Sequence, residues 1–132
     1  MNDRFKFRAK RIDNNKFVYG YLCFIYIDNE KHCKIYSPDD AMSYDCYTET
    51  LGQCTGLKDR NGRLIYAGDI LGNKDFMSDV ALLKYNNKKC CYILERQSID
   101  ERFNKWWADM LMVIGNIHEN KELLKWQKIF LI

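Results

Sequence analysis

The strongest constraint on this chain is its punctuation. Short runs of β-branched and aromatic residues are broken at close intervals by Asn, Asp and Gly clusters. Residues 4–10 alternate, with Phe5, Phe7 and Ala9 on one side and Arg4, Lys6, Arg8 and Lys10 on the other. A period of two predicts a strand with one buried face and one solvated, basic face. Asp13-Asn14-Asn15 predicts a turn, because Asn and Asp tolerate left-handed backbone and bond locally. The run at 16–27, containing FVYGYLCFIYI, then reads as the second arm of a hairpin. Gly20 inside it predicts a bulge or a close backbone approach.

Residues 28–31 turn the chain again, and 32–36 predict a short third strand. The segment 37–46, SPDDAMSYDC, has turn chemistry at its start and no clear period, so a loop is expected. Further strands are expected at 47–55, 69–72, 79–85, 88–95 and 111–117. Asn61-Gly62 suits a tight turn that needs positive φ. The pattern changes at Ser98-Ile99-Asp100-Glu101, an S-x-x-E capping box. Ile99, Phe103, Trp106, Trp107 and Met110 follow at helical spacing, which predicts an amphipathic helix from about 99 to 109. The apolar tail 122–132 is compatible with a second helix. The expected fold class is mainly β, a small barrel or sandwich of short antiparallel strands.

Composition serves mainly to exclude. The chain has 132 residues, 47% of them hydrophobic and 30% charged. That suits one domain with a self-sufficient core, and neither a polyelectrolyte nor a membrane span. The formal charge of +3 is modest for a nucleic-acid-binding domain. It is concentrated, however, in Arg4, Lys6, Arg8 and Lys10 and again in Lys58, Arg60 and Arg63. These seven are the candidate binding residues. MNDRFKFRAKR lacks the apolar core of a secretory signal, so a cytoplasmic setting with free thiols is expected for the six cysteines. No C-x-x-C occurs, and His32-Cys33 and Cys90-Cys91 are neighbours that point apart on a strand, so no metal site is expected. Nucleotide loops and nucleophile signatures are absent, and His32 and His118 have no recognisable catalytic spacing. No catalytic residue, cofactor or enzymatic activity is therefore expected. A hydrolase using His118 with a converging carboxylate is the remote alternative.

Residues 52–70, GQCTGLKDRNGRLIYAGDI, resemble the signature of the YopX family, small proteins of phages, prophages and mobile elements. Gln53, Thr55, Gly56, Leu57, Lys58, Asp59, Asn61, Gly62, Ile65, Tyr66, Gly68, Asp69 and Ile70 carry the match, and Ala67 departs from the family's usual Glu. The opening RFKFRAKR is similar through Phe7, Arg8 and Ala9, with Lys10 where Trp is frequent. VIGNIHENKELL is similar to the closing block, with Lys121 in place of Pro. The resemblance implies an SH3-like barrel or roll spanning residues 1–120, and it implies no activity. Residues 121–132 would be an apolar extension packing on that domain or on a neighbouring subunit. Within the motif, Gly56, Gly62 and Gly68 punctuate a β-turn-β unit, and Asp59, Asn61 and Asp69 bond backbone groups in its corners. The functional expectation is a binding or assembly module, a homo-oligomer with no membrane partner. The alternative is a nucleic-acid-binding barrel that uses the basic N-terminal strand.

Overall fold

The computed structural model describes residues 2–73, 76–96 and 99–124, with the backbone alone for 76–79. The chain divides into two compact units, Met1–Gly56 and Leu57–Ile132. The mainly β expectation holds, and the pairings given by residue register among the described strands are antiparallel.

The first unit holds β1 (Phe7–Lys10), β2 (Phe17–Ile27), β3 (Glu30–Ser37), β4 (Met42–Cys46) and the start of β5 (Gly52–Lys58). Their order is β4-β3-β2-β1-β5. Asn15, Asp28 and Asn29 take positive φ at the two hairpin turns, a conformation Asn and Asp accept with little penalty. Ala9, Val18, Cys33, Ile35 and Cys46 form the core, with Phe7, Leu22, Tyr44 and Leu51 packed against it.

Three expectations here need correction. The first strand is Phe7–Lys10 and not 4–10, because Asp3–Phe5 is a 3-10 turn, and Phe5 is exposed where a buried face was expected. Residues 42–46 are a strand, registered on β3 from Cys33↔Cys46 to Ser37↔Met42, where a loop was expected. Its alternation is hidden because Met42, Ser43 and Asp45 are exposed and only Cys46 is buried. Conversely, 48–50 form a 3-10 turn, so β5 begins at Gly52 and not at 47.

The second unit holds the end of β5, then β6 (Leu64–Tyr66), β7 (Asp69–Asn73), β8 (Phe76–Asn86), β9 (Cys91–Arg96), β10 (Ile99–Arg102), α1 (Lys105–Met110) and β11 (Met112–Asn116). Its main sheet has the order β10-β9-β8-β7-β11. One core cluster contains Ile65, Leu71, Leu83, Leu94, Phe103, Ala108 and Leu111. A second contains Ile70, Val80 and Leu124, with Leu82, Ile114, Ile117 and Leu123 against it. Ile70 and Leu71 are neighbours on β7, so the two clusters lie on opposite faces of this sheet. Neither strand order returns to its first strand, so the described strands form open sheets and no closed barrel.

The helix is shorter than expected. Residues 99–102 are β10, paired with β9 through Ile99↔Arg96 to Arg102↔Ile93. The cap is Asn104, whose side chain accepts from the Trp107 N–H at 3.2 Å. Ile99 and Glu101 were legible as either period, and the pairing partner settled the choice. Ser98 and tail residues 125–132 lie outside the described residues.

Gly20 is a close approach, as expected: a Cβ there would collide with the Tyr36 carbonyl of the adjacent strand. Gly20→Ala should cost about 2–4 kcal/mol, because backbone and not a flexible side chain must yield. Urea unfolding of the full chain measures it.

Candidate functional site

The turn at residues 59–63 is built on one carboxylate. Asp59 is 6% exposed. Its Oδ1 accepts the N–H groups of Asn61 at 2.9 Å and Arg63 at 2.8 Å. Its Oδ2 accepts the Val113 N–H at 2.8 Å, reaching from the turn to β11. The turn itself closes with Asp59 N–H to Arg63 O at 2.8 Å and Gly62 N–H to Asp59 O at 2.9 Å. Gly62 has φ +82° with nothing near its missing Cβ, so it is backbone conformation, and not space, that calls for glycine. The Asn61 side chain reaches the Met112 sulfur instead of closing the turn. Asp69 is 1% exposed and accepts the Tyr66 N–H at 2.7 Å. The motif is thus a scaffold for the corner that displays Lys58, Arg60 and Arg63, all three exposed.

The basic N-terminal row does not form a solvated face. Arg8 is 2% exposed and Lys10 is buried too. Their strand neighbours explain it. Arg8 pairs with Tyr19 and Lys10 with Phe17 across β1–β2. The Phe17 ring lies 4.7 Å from the Arg8 guanidinium and 5.5 Å from the Lys10 ammonium. Long cationic side chains bury their stems when an aromatic face receives the head. Lys6 pairs with Asp3 at 3.2 Å, and Arg4 is exposed beside the Phe5 ring. Of the seven predicted binding residues, Arg4, Lys58, Arg60 and Arg63 are therefore exposed, and Lys6 is half-exposed in its pair with Asp3.

The feature that sequence reasoning missed is the outer half of the β2–β3 hairpin. β1 pairs with β2 only over Phe17–Gly20, and β4 pairs with β3 only from Cys33 onward. Beyond those limits β2 and β3 continue as a two-stranded arm, paired from Phe24↔Cys33 to Ile27↔Glu30. Phe24, Ile25, Tyr26 and Ile27 are exposed by 36%, 37%, 69% and 49%. Lys31 sits 4.0 Å over the Phe24 ring. Four consecutive apolar residues with both faces in solvent are unusual. The signal was the run FIYI, which lacks the polar alternation of 4–10 and so reads as a strand buried on both faces.

Among the described residues the cysteines form no disulfide, with Cys33, Cys46 and Cys54 buried and Cys23 and Cys90 exposed. Burial, with Cys33 opposite, pushes the Cys46 thiol up to about 11. His118 lies in the turn after β11, half-buried, its backbone N–H donating to Asn116 Oδ1 at 3.0 Å. A shallow cleft of about 320 Å³ is lined by Lys89, Cys91, Ile93, Asp100 and Arg102 and contains neither histidine. Among the described residues no three His, Cys, Asp or Glu side chains are grouped to hold a metal ion, and no helix is long and apolar enough to cross a membrane.

These features define an all-β protein of open antiparallel sheets, with an Asp-centred turn in one unit and an exposed apolar arm in the other. The family model described as YopX protein matches residues 6–125, and the chain belongs to the YopX family. It is similar to the crystal structure of protein EF1440 from Enterococcus faecalis, with 27% identity and a TM-score of 0.54, covering 90% of this chain and 96% of that one. No protein of curated function matches it.

Asp59→Ala strands three backbone donors and should cost about 2–4 kcal/mol, whereas Asp59→Asn keeps one acceptor oxygen and should cost less. Chemical denaturation of both variants checks the order. Cys46 contributes to the pH profile as well. Its folded value lies above the ordinary 9.0, so its contribution is complete below pH 9 and is lost as pH rises toward about 11. Unfolding measured from pH 8 to 11 should fall less steeply for Cys46→Ala than for the native chain.

Proposed function

We propose that this protein is a non-enzymatic binding or assembly module whose contact element is the β2–β3 arm. The observation that carries this reading is the exposure of Phe24, Ile25, Tyr26 and Ile27 beyond the sheet that supports them. Apolar side chains left in water oppose solubility, and a chain that keeps a row of them keeps a surface for something to cover. The arm is braced at its root by the core residues Cys33 and Ile35 and by Leu22 packed against that core, so it is presented as a formed hairpin and needs little ordering on contact.

The nucleic-acid reading now rests on fewer groups. Arg8 and Lys10 are buried and Lys6 is paired with Asp3, which leaves Lys58, Arg60 and Arg63 on one turn and Arg4 on the other unit. The arm is the larger and more continuous feature, and it favours protein contact.

A contact element and a structural element respond differently to truncation. The double variant Phe24→Ser/Tyr26→Ser, unfolded with urea at low protein concentration, should change stability by less than about 1 kcal/mol. A loss of several kcal/mol, as for a core position such as Ile35, would make the arm part of the fold and overturn the reading.

A further inference from the structure

We propose that the arm joins two copies of this chain, with the open edge of β2 in one copy adding antiparallel to the same edge in another. The inference rests on the arm being a contact surface and names what covers it.

The edge is located by hydrogen-bond parity. The Cys54 N–H donates to the Lys6 carbonyl at 2.9 Å, so the even-numbered residues of β1 direct their backbone groups toward β5. Phe7 and Ala9 then bond toward β2, to Gly20 and Val18. Continuing along β2, the N–H and C=O groups of Leu22, Phe24 and Tyr26 point to that same side, past the end of β1. The opposite side of the sheet gives the same answer. Ile12 N–H to Asp45 O and Tyr47 N–H to Lys10 O, both 2.9 Å, flank the Arg11↔Cys46 pair. Cys46 therefore bonds toward Cys33, Cys33 bonds toward β4, and Phe24 opposite Cys33 faces outward. Among the described residues no strand pairs with this edge beyond Gly20. The Phe24 carbonyl receives a long contact, 3.9 Å, from the Cys23 thiol.

Charge selects the occupant. Tyr21–Ile27 contains no charged residue, so two such edges meet without repulsion. The ends differ in sign. Asp28 and Glu30 outnumber Lys31 at the tip, and at the root, next to Phe7, which pairs with Gly20, Arg4 and Lys6 outnumber Asp3, the ion-pair partner of Lys6. Antiparallel pairing brings the acidic tip of each copy toward the basic root of the other. Placing Phe24 opposite Tyr26 of the second copy sets the two-fold axis at Ile25. Each Phe24 then exchanges backbone bonds with a Tyr26, and Asp28 arrives opposite Leu22, one residue short of the Lys6 end. A two-fold contact uses the same groups on both copies and needs no second kind of surface.

The test is sedimentation velocity on the full chain and two variants across a concentration series. Phe24→Pro removes an outward N–H and no bond to β3, so the monomer tolerates it while the edge is blocked. Tyr26→Lys places a like charge near each half of the contact. The native chain should sediment as a dimer that dissociates on dilution. Each variant should raise the dissociation constant about tenfold or more, with unchanged circular dichroism. If Phe24→Pro fails to fold, Tyr26→Lys decides. A native chain that stays monomeric at its highest soluble concentration overturns the pairing, as does a dimer indifferent to both variants. If the native chain is monomeric and the serine double variant keeps its stability, the contact surface stands with another protein as its occupant. Loss of stability in that double variant removes the contact reading itself.

Discussion

The Asp59 carboxylate takes the N–H groups of Asn61, Arg63 and Val113 at 2.8–2.9 Å, and the order of the second unit follows from that arrangement. A carboxylate in this position satisfies donors that a tight turn cannot satisfy from its own backbone. Because one of the three comes from a residue 54 positions later, the turn is tied to β11 as well as closed. Arg60 N–H to Leu111 O at 2.8 Å adds a second tie to the same segment. Leu111 is buried with Ile65, Leu71 and Leu94, so the turn is attached to core and not to loop. The exposed cations Lys58, Arg60 and Arg63 consequently stand on a rigid base, which is why a motif that displays charge is held together by a buried acid.

How much of this was legible depended on whether the signal was local. Gly20, Gly62, Asp59 and Asp69 were readable because turn chemistry and close approach are decided by a few adjacent residues. The period of two in 4–10 marked a strand that the structure keeps over Phe7–Lys10, after a 3-10 turn at Asp3–Phe5, and the burial of its second face was not legible. Arg8 and Lys10 are covered by Phe17, which lies on the next strand, and nothing in the alternation of 4–10 records that neighbour. The 99–109 segment failed for a related reason. Its spacing satisfies a helix, and only the pairing of 99–102 with β9 reveals the strand before the Asn104 cap. β4 was missed because an edge strand with three exposed positions carries little hydrophobic period.

The arm lay beyond sequence reading because one pattern has two opposite meanings. A run such as FIYI belongs in a fully covered strand, and the length of β1 decides whether covering is present. β1 has four residues and β2 has eleven, so the cover ends at Gly20. The core side of β2 does not end there. Leu22, Phe24 and Tyr26 lie on one face by alternation, and Cys33 and Ile35 lie opposite on β3. The apolar stripe that forms the core at Leu22, Cys33 and Ile35 continues outward without a change of residue type.

Sheet proteins ordinarily protect an exposed edge with Lys, Pro, a bulge or a short strand. From Tyr21 to Ile27 this edge has no Lys and no Pro, and its register with β3 runs without a shift from Tyr21↔Tyr36 to Ile27↔Glu30. It is long as well as regular. The charges of the hairpin are instead placed at the turn and on β3, at Asp28, Glu30, Lys31 and Lys34, with Lys31 lying over the Phe24 ring. An edge that presents backbone donors and acceptors beside uncharged side chains favours addition of another strand on both counts.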